Sequence, residues 1–309
     1  MNVTRLTHDA LFYADDTEFT AALGPFIRDG LANGDALICA VTRSNIEVLQ
    51  AHLCGDADRV TFIDRDEWYR RPAATIAGWQ RLLGEATDAG HGYVRIVGEV
   101  AFGAADRHPT WTRYESALNE LFAAAPAWIV CPYDTRTLAP QVLSDAMRTH
   151  AGVFDPVRRP SDDFQPTREL FAQITETLPD ATGALAVEVV IDDLTGLPPA
   201  RQAVTRAAAA TGAEPQRIEE LQLVVSELAG NSLRHGAGKR RLRLWISEHS
   251  FTGEVTDEGD GFGDPLAGYL APGTGTTGGW GLWLSQQLCD QLAIVRDNGI
   301  TRVRFRIGR

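Results

Sequence analysis

Residues 227–236 (ELAGNSLRHG), 257–263 (DEGDGFG) and 279–282 (GWGL) are the stretches whose reading decides the fold of the C-terminal half. Ile218, Leu221, Val225 and Leu228 recur at helical spacing just before and within the first stretch, so a helix presenting them to a core is expected there. Glu227, Asn231 and Arg234 follow at intervals of four and three, on a stripe about a quarter turn from the apolar one. A polar stripe beside a core stripe suits the rim of a pocket. The second and third stretches are glycine-rich turns, one after an acid and one at a helix start.

Working outward, 185–191 reads as a strand, 198–210 as an alanine-rich helix, and Pro215 as the first residue of the helix that carries Glu227. Strand patterns at 241–247 and 251–256 precede the glycine turns. A helix over 281–291 and closing strands at 293–296 and 302–306 follow. The sum is a layer of helices on a mostly antiparallel sheet, an α+β arrangement.

The chemistry of these residues points to a nucleotide. Magnesium is a hard ion that takes few protein oxygens, so the Asn231 carboxamide can complete a shell made otherwise of triphosphate oxygens and water. Glu227, one turn away, lies where a general base toward an attacking hydroxyl or water is needed. Asp257 can accept a hydrogen bond from an exocyclic amine, the group that separates adenine from guanine. Gly279 and Gly281 open a helix whose free N–H groups favour phosphate oxygens. Residues 269–278, with Pro272, three glycines and three threonines, have the composition of a lid. Taken singly, a Glu and an Asn at this spacing are a solvated helix face and D-x-G-x-G is a turn; the ordered combination is specific. No G-x-x-x-x-G-K-[ST] occurs, so a Walker-type loop is not supported.

In this order the segments resemble the N, first glycine and second glycine boxes of the GHKL (Bergerat) ATPase superfamily, over about residues 185–309. The resemblance implies ATP and Mg2+ as cofactors, with Asn231 as magnesium ligand, Asp257 as adenine acceptor and Glu227 as catalytic base. Gly259, Gly261, Gly279 and Gly281 are then loop residues of the pocket, and Arg234, His235, Thr277 and Leu282 are expected at the nucleotide. Gly230 in a helix interior and the bulky Trp280 and Trp283 beside the phosphate turn depart from a plain pattern.

The first half alternates short apolar runs (37–41, 60–63, 93–97, 128–131) with helical segments (16–31, 66–86, 110–123), which implies a mainly parallel sheet covered on both faces. Asp64, Glu99 and Asp134 follow three of these runs, at the carboxyl ends of strands where open α/β sheets take ligands and where strand ends also simply meet solvent. Cys39 and Cys131 fall inside apolar strands and read as inert buried thiols. The stretches 8–13 (HDALFY), 26–34 (FIRDGLANG), 95–99 (RIVGE), 114–119 (YESALN) and 131–135 (CPYDT) together resemble the MEDS family of sensory domains, over about residues 5–155. That resemblance implies a sensing role for a small-molecule ligand, with Glu99, Tyr133 and Asp134 as candidate ligand-binding residues.

Proline and charge in 155–166 (DPVRRPSDDFQP) disfavour regular structure, and a short helix is expected over 167–177. The expected organisation is therefore two domains, 1–155 and 185–309, with a linker at 156–184. At 309 residues and 44% hydrophobic content the chain can bury two cores. A net charge of −12 argues against nucleic acid as a direct partner. No apolar run is long enough to span a bilayer and no signal-peptide pattern opens the chain, so no membrane partner and a cytoplasmic location are expected. Four separated cysteines, with no Cys-x-x-Cys pair or His-rich tract, give no sign of a structural zinc.

A sensor histidine kinase needs a phosphorylatable histidine on a helical hairpin. His150 has no convincing hairpin after it and reads as structural. The second half is more similar to the RsbW-type anti-sigma kinases, and the whole chain resembles the RsbA family, which joins a MEDS-like domain to such an ATPase. The resemblance implies an anti-sigma switch or Ser/Thr kinase whose partner is a sigma factor or an anti-anti-sigma (STAS) protein, and it is compatible with a homodimer. The alternatives are a ligand-sensing module that only binds nucleotide, and an orphan histidine kinase.

Overall fold

Six strands of the first half run parallel in one sheet because each connection crosses back to the end of the sheet where the previous strand began. The computed structural model describes residues 5–155, 157–271 and 279–309. The chain divides into two units, Met1–Ile174 and Thr175–Arg309.

In the first unit, β1 (Thr7–Tyr13), β2 (Ala36–Val41), β3 (Thr61–Asp64), β4 (Val94–Gly98) and β5 (Ala127–Asp134) alternate with α1 (Asp16–Asn33), α2 (Arg43–Leu53), α3 (Arg65–Trp68), α4 (Pro72–Asp88) and α5 (His108–Leu121). Helix α6 (Pro140–Thr149), strands β6 (Gly152–Asp155) and β7 (Val157–Pro160), and α7 (Thr167–Gln173) complete it. The sheet order is β3-β2-β4-β5-β1-β6-β7, and only β7 runs antiparallel to its neighbour. The side chain of Asp15 caps α1 by accepting from the N–H groups of Thr17 and Glu18, and Gly34 ends the helix in the left-handed region at φ 80°.

Two expectations are corrected here. The single helix expected over 66–86 is two, α3 and α4: Pro72 opens α4, and the residue before a proline is pushed out of helical backbone. The stretch 156–184, expected as linker, contains the strand β7 besides the short helix expected there, α7, which ends at Gln173, and both belong to the first unit. The charge of 155–166 finds an internal partner: the Arg158 guanidinium donates at 2.9 Å to both carboxylate oxygens of the fully buried Asp9, which also accepts from the Trp128 indole at 2.9 Å. Pairing a buried carboxylate in this way holds β7 on the sheet edge, where Pro160 is tolerated at the strand end.

The second unit contains β8 (Ala184–Val190), α8 (Leu197–Ala209), α9 (Pro215–His235), β9 (Arg241–Ile246), β10 (Ser250–Asp257), α10 (Trp280–Leu288), β11 (Gln291–Asp297) and β12 (Ile300–Gly308). Its five strands are all antiparallel, in the order β11-β12-β10-β9-β8. Val204, Leu221, Val225 and Leu228 of the helices pack with Leu242, Leu244, Phe251 and Phe305 of the sheet in one core. Gly253 sits opposite Phe305 in the β10–β12 register, and a Cβ there would collide with the Phe305 ring. Helix α10 stops three residues short of the expected end: Cys289 is extended, and the Asp290 carboxylate accepts from the N–H of Gly308 at 2.7 Å. Among the described residues, no helix is long and apolar enough to cross a membrane.

Candidate functional site

The C-terminal half of α9 lies over the end of β10, and their meeting point builds a small cavity with both apolar and polar lining. Asp257 is the last residue of β10 and pairs in register with Thr301 of β12. Asp257 is buried, 7% exposed. Oδ2 accepts from the Ser232 hydroxyl and Oδ1 from the N–H of Gly259, both at 2.8 Å. Thr301 Oγ1 donates to the Gly259 carbonyl at 2.9 Å, so the turn after the acid is fixed from two strands.

Two glycine backbones lean against the same carboxylate. A Cβ on Gly236 would lie 2.5 Å from Asp257 Cγ and 2.5 Å from the Ser232 carbonyl oxygen. A Cβ on Gly259 would lie 2.8 Å from Asp257 Oδ1 and 2.8 Å from Gly236 Cα. Gly259 is therefore needed to admit the neighbouring chain, while Gly261, at φ 77°, is the turn residue that lines the cavity. Arg240 closes the helix end by donating to the carbonyls of Ser232, Gly236 and Gly238 at 2.9, 2.9 and 3.1 Å.

Leu228, Val255 and Val303 give the cavity an apolar floor, and Asn231, His235 and Asp257 give it polar walls. The cavity is about 20 Å³, room for little more than a water, so a larger ligand entering it requires the lining, which includes the partly buried Phe262, to move. Each Asp257 oxygen retains a lone pair beyond the bond it accepts, which leaves the carboxylate able to accept from an amine in the cavity.

Glu227 and Asn231 lie one turn apart on α9, both half-buried. The Glu227 carboxylate packs on Gly281, where a Cβ would collide with Oε2. Gly279 precedes α10 at φ 85°, so the free N–H groups of that helix open beside Glu227. Arg234 donates to Asn231 Oδ1 at 2.8 Å. His235 is exposed at the cavity edge, Leu282 is buried in the core, and Trp280 is half exposed. Thr277, and with it most of the 269–278 stretch, lies outside the described residues. Sequence reasoning passed over Ser232, Thr301 and Arg240; Ser232 follows Asn231 directly, whereas Thr301 is tied to Asp257 by strand register alone.

The residues considered as a sensory site are divided. Glu99, just beyond β4, is 4% exposed and accepts from Arg65 at 2.7 Å, Asn45 at 2.9 Å, the Thr42 N–H at 3.0 Å and Tyr13 at 3.3 Å. Burial, and then the Glu99 charge, push the Tyr13 hydroxyl well above its ordinary range. Asp134 is chelated by Arg136 at 2.9 Å, which holds its carboxyl below the usual range. Asp64 is likewise held down by Arg43. Tyr133 points elsewhere, with its ring 5.7 Å from that of the buried His150.

Residues 7–151 match the family described as MEDS, MEthanogen/methylotroph, DcmR Sensory domain. Residues 191–307 match the histidine kinase-like ATPase domain. A search of curated proteins gives no match.

Proposed function

We propose that this chain, a MEDS sensory domain joined to a histidine kinase-like ATPase domain, is a regulatory switch that binds Mg-ATP and acts on a protein partner. The observation that carries the reading is Asp257, held by Ser232 and Gly259 inside the cavity whose wall includes Asn231. A buried carboxylate kept in a fixed orientation with free lone pairs suits the amine of adenine. Asn231 would hold the magnesium ion, which supplies charge neutralisation to the phosphates. Glu227, beside Gly281 and the opening of α10, would take the proton of the attacking hydroxyl. Positioning and charge then do most of the work of phosphoryl transfer.

The acceptor in this reading is a Ser or Thr of an anti-anti-sigma (STAS) protein, with a sigma factor as the sequestered partner. An orphan histidine kinase using His150 is disfavoured, because that side chain is fully buried and a phosphoryl donor has no path to it. Arg234 engages the Asn231 oxygen that would face magnesium, so it must swing away before that ion is held, in nucleotide binding and in transfer alike.

Calorimetric titration with ATP, with and without magnesium, tests the pocket, and label transfer to a STAS partner tests the chemistry. Asn231→Ala should abolish the magnesium dependence of binding, and Glu227→Ala should stop transfer while leaving ATP bound. Magnesium dependence that survives Asn231→Ala would refute the assignment of that residue.

A further inference from the structure

Four side chains that the ATP reading does not use meet inside the first unit. His8 of β1, Glu115 of α5, Cys131 of β5 and His150, which follows α6, are each no more than 2% exposed. One potential ligand atom from each lies within 4.8 Å of all the others. His8 Nε2 and His150 Nε2 are both 3.2 Å from Glu115 Oε2, and His8 Nε2 is 3.3 Å from Cys131 Sγ. A tetrahedral ion with bonds of about 2.0–2.3 Å sets its ligand atoms about 3.3–3.8 Å apart, so the three measured edges are close to what such an ion requires.

The outer hydrogen bonds fix which imidazole nitrogen is bare. His150 Nδ1 lies 2.9 Å from the carbonyl oxygen of Ala146, which can only accept, and 2.9 Å from Thr149 Oγ1, whose own proton has the Asp145 and Ala146 carbonyls to go to, so Nδ1 carries the proton. Asn119 donates its amide to the carbonyls of Thr149 at 2.7 Å and Ser116 at 3.3 Å, which turns its Oδ1 toward His8 Nδ1 at 3.0 Å. His8 Nδ1 is then the protonated nitrogen of that ring as well. Both Nε2 lone pairs therefore face the Glu115 carboxylate. With Nδ1 protonated on both rings, neither Glu115 oxygen nor His150 Nε2 has a hydrogen-bond partner among the described residues, and the 3.2 Å contacts to Glu115 Oε2 need an added proton or a metal ion between them. Lone pairs converging on a buried carboxylate repel one another unless a cation stands between them. Histidines whose far nitrogens donate to carbonyl-type oxygens are the usual outer shell of metal ligands.

We propose that His8, Glu115, Cys131 and His150 form a closed binding site for a zinc-class transition-metal ion. A thiolate with two imidazoles selects zinc, cobalt or similar ions over magnesium and calcium. Four protein ligands at full burial leave no open position, the pattern of a structural site. The ion ties two neighbouring strands, β1 and β5, to α5 and the end of α6. Cys131 binds as thiolate and releases its thiol proton to solvent on metal uptake.

The experiment uses the full chain, stripped of metal with a chelator and titrated with Zn2+ or Co2+. One equivalent of either ion is expected to bind and to raise the unfolding temperature. The Co2+ form should show a thiolate-to-metal charge-transfer band and the intense visible bands of tetrahedral cobalt. Cys131→Ser should remove the charge-transfer band, and Cys54→Ser, at the exposed thiol, should retain it. Glu115→Gln, nearly isosteric, should weaken Zn2+ binding at least tenfold. A folded wild-type chain that takes up neither ion, a Co2+ spectrum without the charge-transfer band, or a band that persists in Cys131→Ser would each overturn the proposal. The wild-type spectrum decides the matter even if a variant fails to fold.

Discussion

Replacing Asp257 by Asn and by Ala separates the structural from the binding work of that carboxylate. In the native site, Oδ1 accepts from the Gly259 N–H and Oδ2 from the Ser232 hydroxyl. An asparagine can set its oxygen toward Gly259, whose N–H has one fixed direction, and its NH2 toward Ser232, whose hydroxyl can rotate and accept. Asp257→Asn should therefore change stability by no more than about 1 kcal/mol. Alanine leaves two donors without the acceptor that satisfied them, at about 1–3 kcal/mol each, so Asp257→Ala should cost about 2–6 kcal/mol. Binding ranks the variants differently. Asparagine replaces a charge-assisted acceptor by a neutral one, a loss of about 1–2 kcal/mol or about 5- to 30-fold in the Kd for ATP. Urea unfolding and calorimetric titration of both variants give the two numbers. If Asp257→Asn binds ATP as tightly as the native chain, the carboxylate does not receive the adenine amine. If Asp257→Asn unfolds as readily as Asp257→Ala, the hydrogen-bond accounting is wrong.

Gly281→Ala places a methyl group where the Glu227 carboxylate now rests, and the flexible end of that side chain should turn away at little cost in stability. Transfer to a protein acceptor should then fall at least tenfold with ATP affinity changed less than threefold, as read by label transfer and calorimetry. Arg304→Ala removes the partner that donates to the buried Glu254 at 2.6 and 3.0 Å, leaving Arg243 at 3.5 Å as its remaining cation. Breaking a buried pair of this kind should cost about 3 kcal/mol in urea unfolding, and a loss below about 1 kcal/mol would show that Arg243 compensates.

The second unit was legible in the sequence because its signals are local. The apolar spacing through Ile218, Leu221, Val225 and Leu228, with Pro215 ahead of it, marks α9 on its own, and each strand shows its pattern within a few residues. In the first unit the four apolar runs are strands, whereas β1, α2, α6 and β6 are not among the expected elements, although residues 8–13 contribute to the family resemblance. The break between α3 and α4 was present in the sequence as Pro72. The strand β7 was not, because its place depends on Asp9, which is 149 residues from Arg158.

The sequence by itself determined the two kinds of fold, the order of the strands and helices in the second unit, and several of the residues that line the cavity around Asp257. These follow from periodicity and turn chemistry, which act over a few residues. Only the tertiary structure decided which distant groups share a space. It set Ser232 and Thr301 around Asp257, placed Glu227 against Gly281, and separated Tyr133 from Glu99. It also brought His8, Glu115, Cys131 and His150 into one buried cluster. No ligand spacing advertises that cluster, since His8 and Cys131 are 123 residues apart. The parallel sheet makes β1 and β5 neighbours in space, and long-range strand pairing of that kind leaves no local trace in the chain.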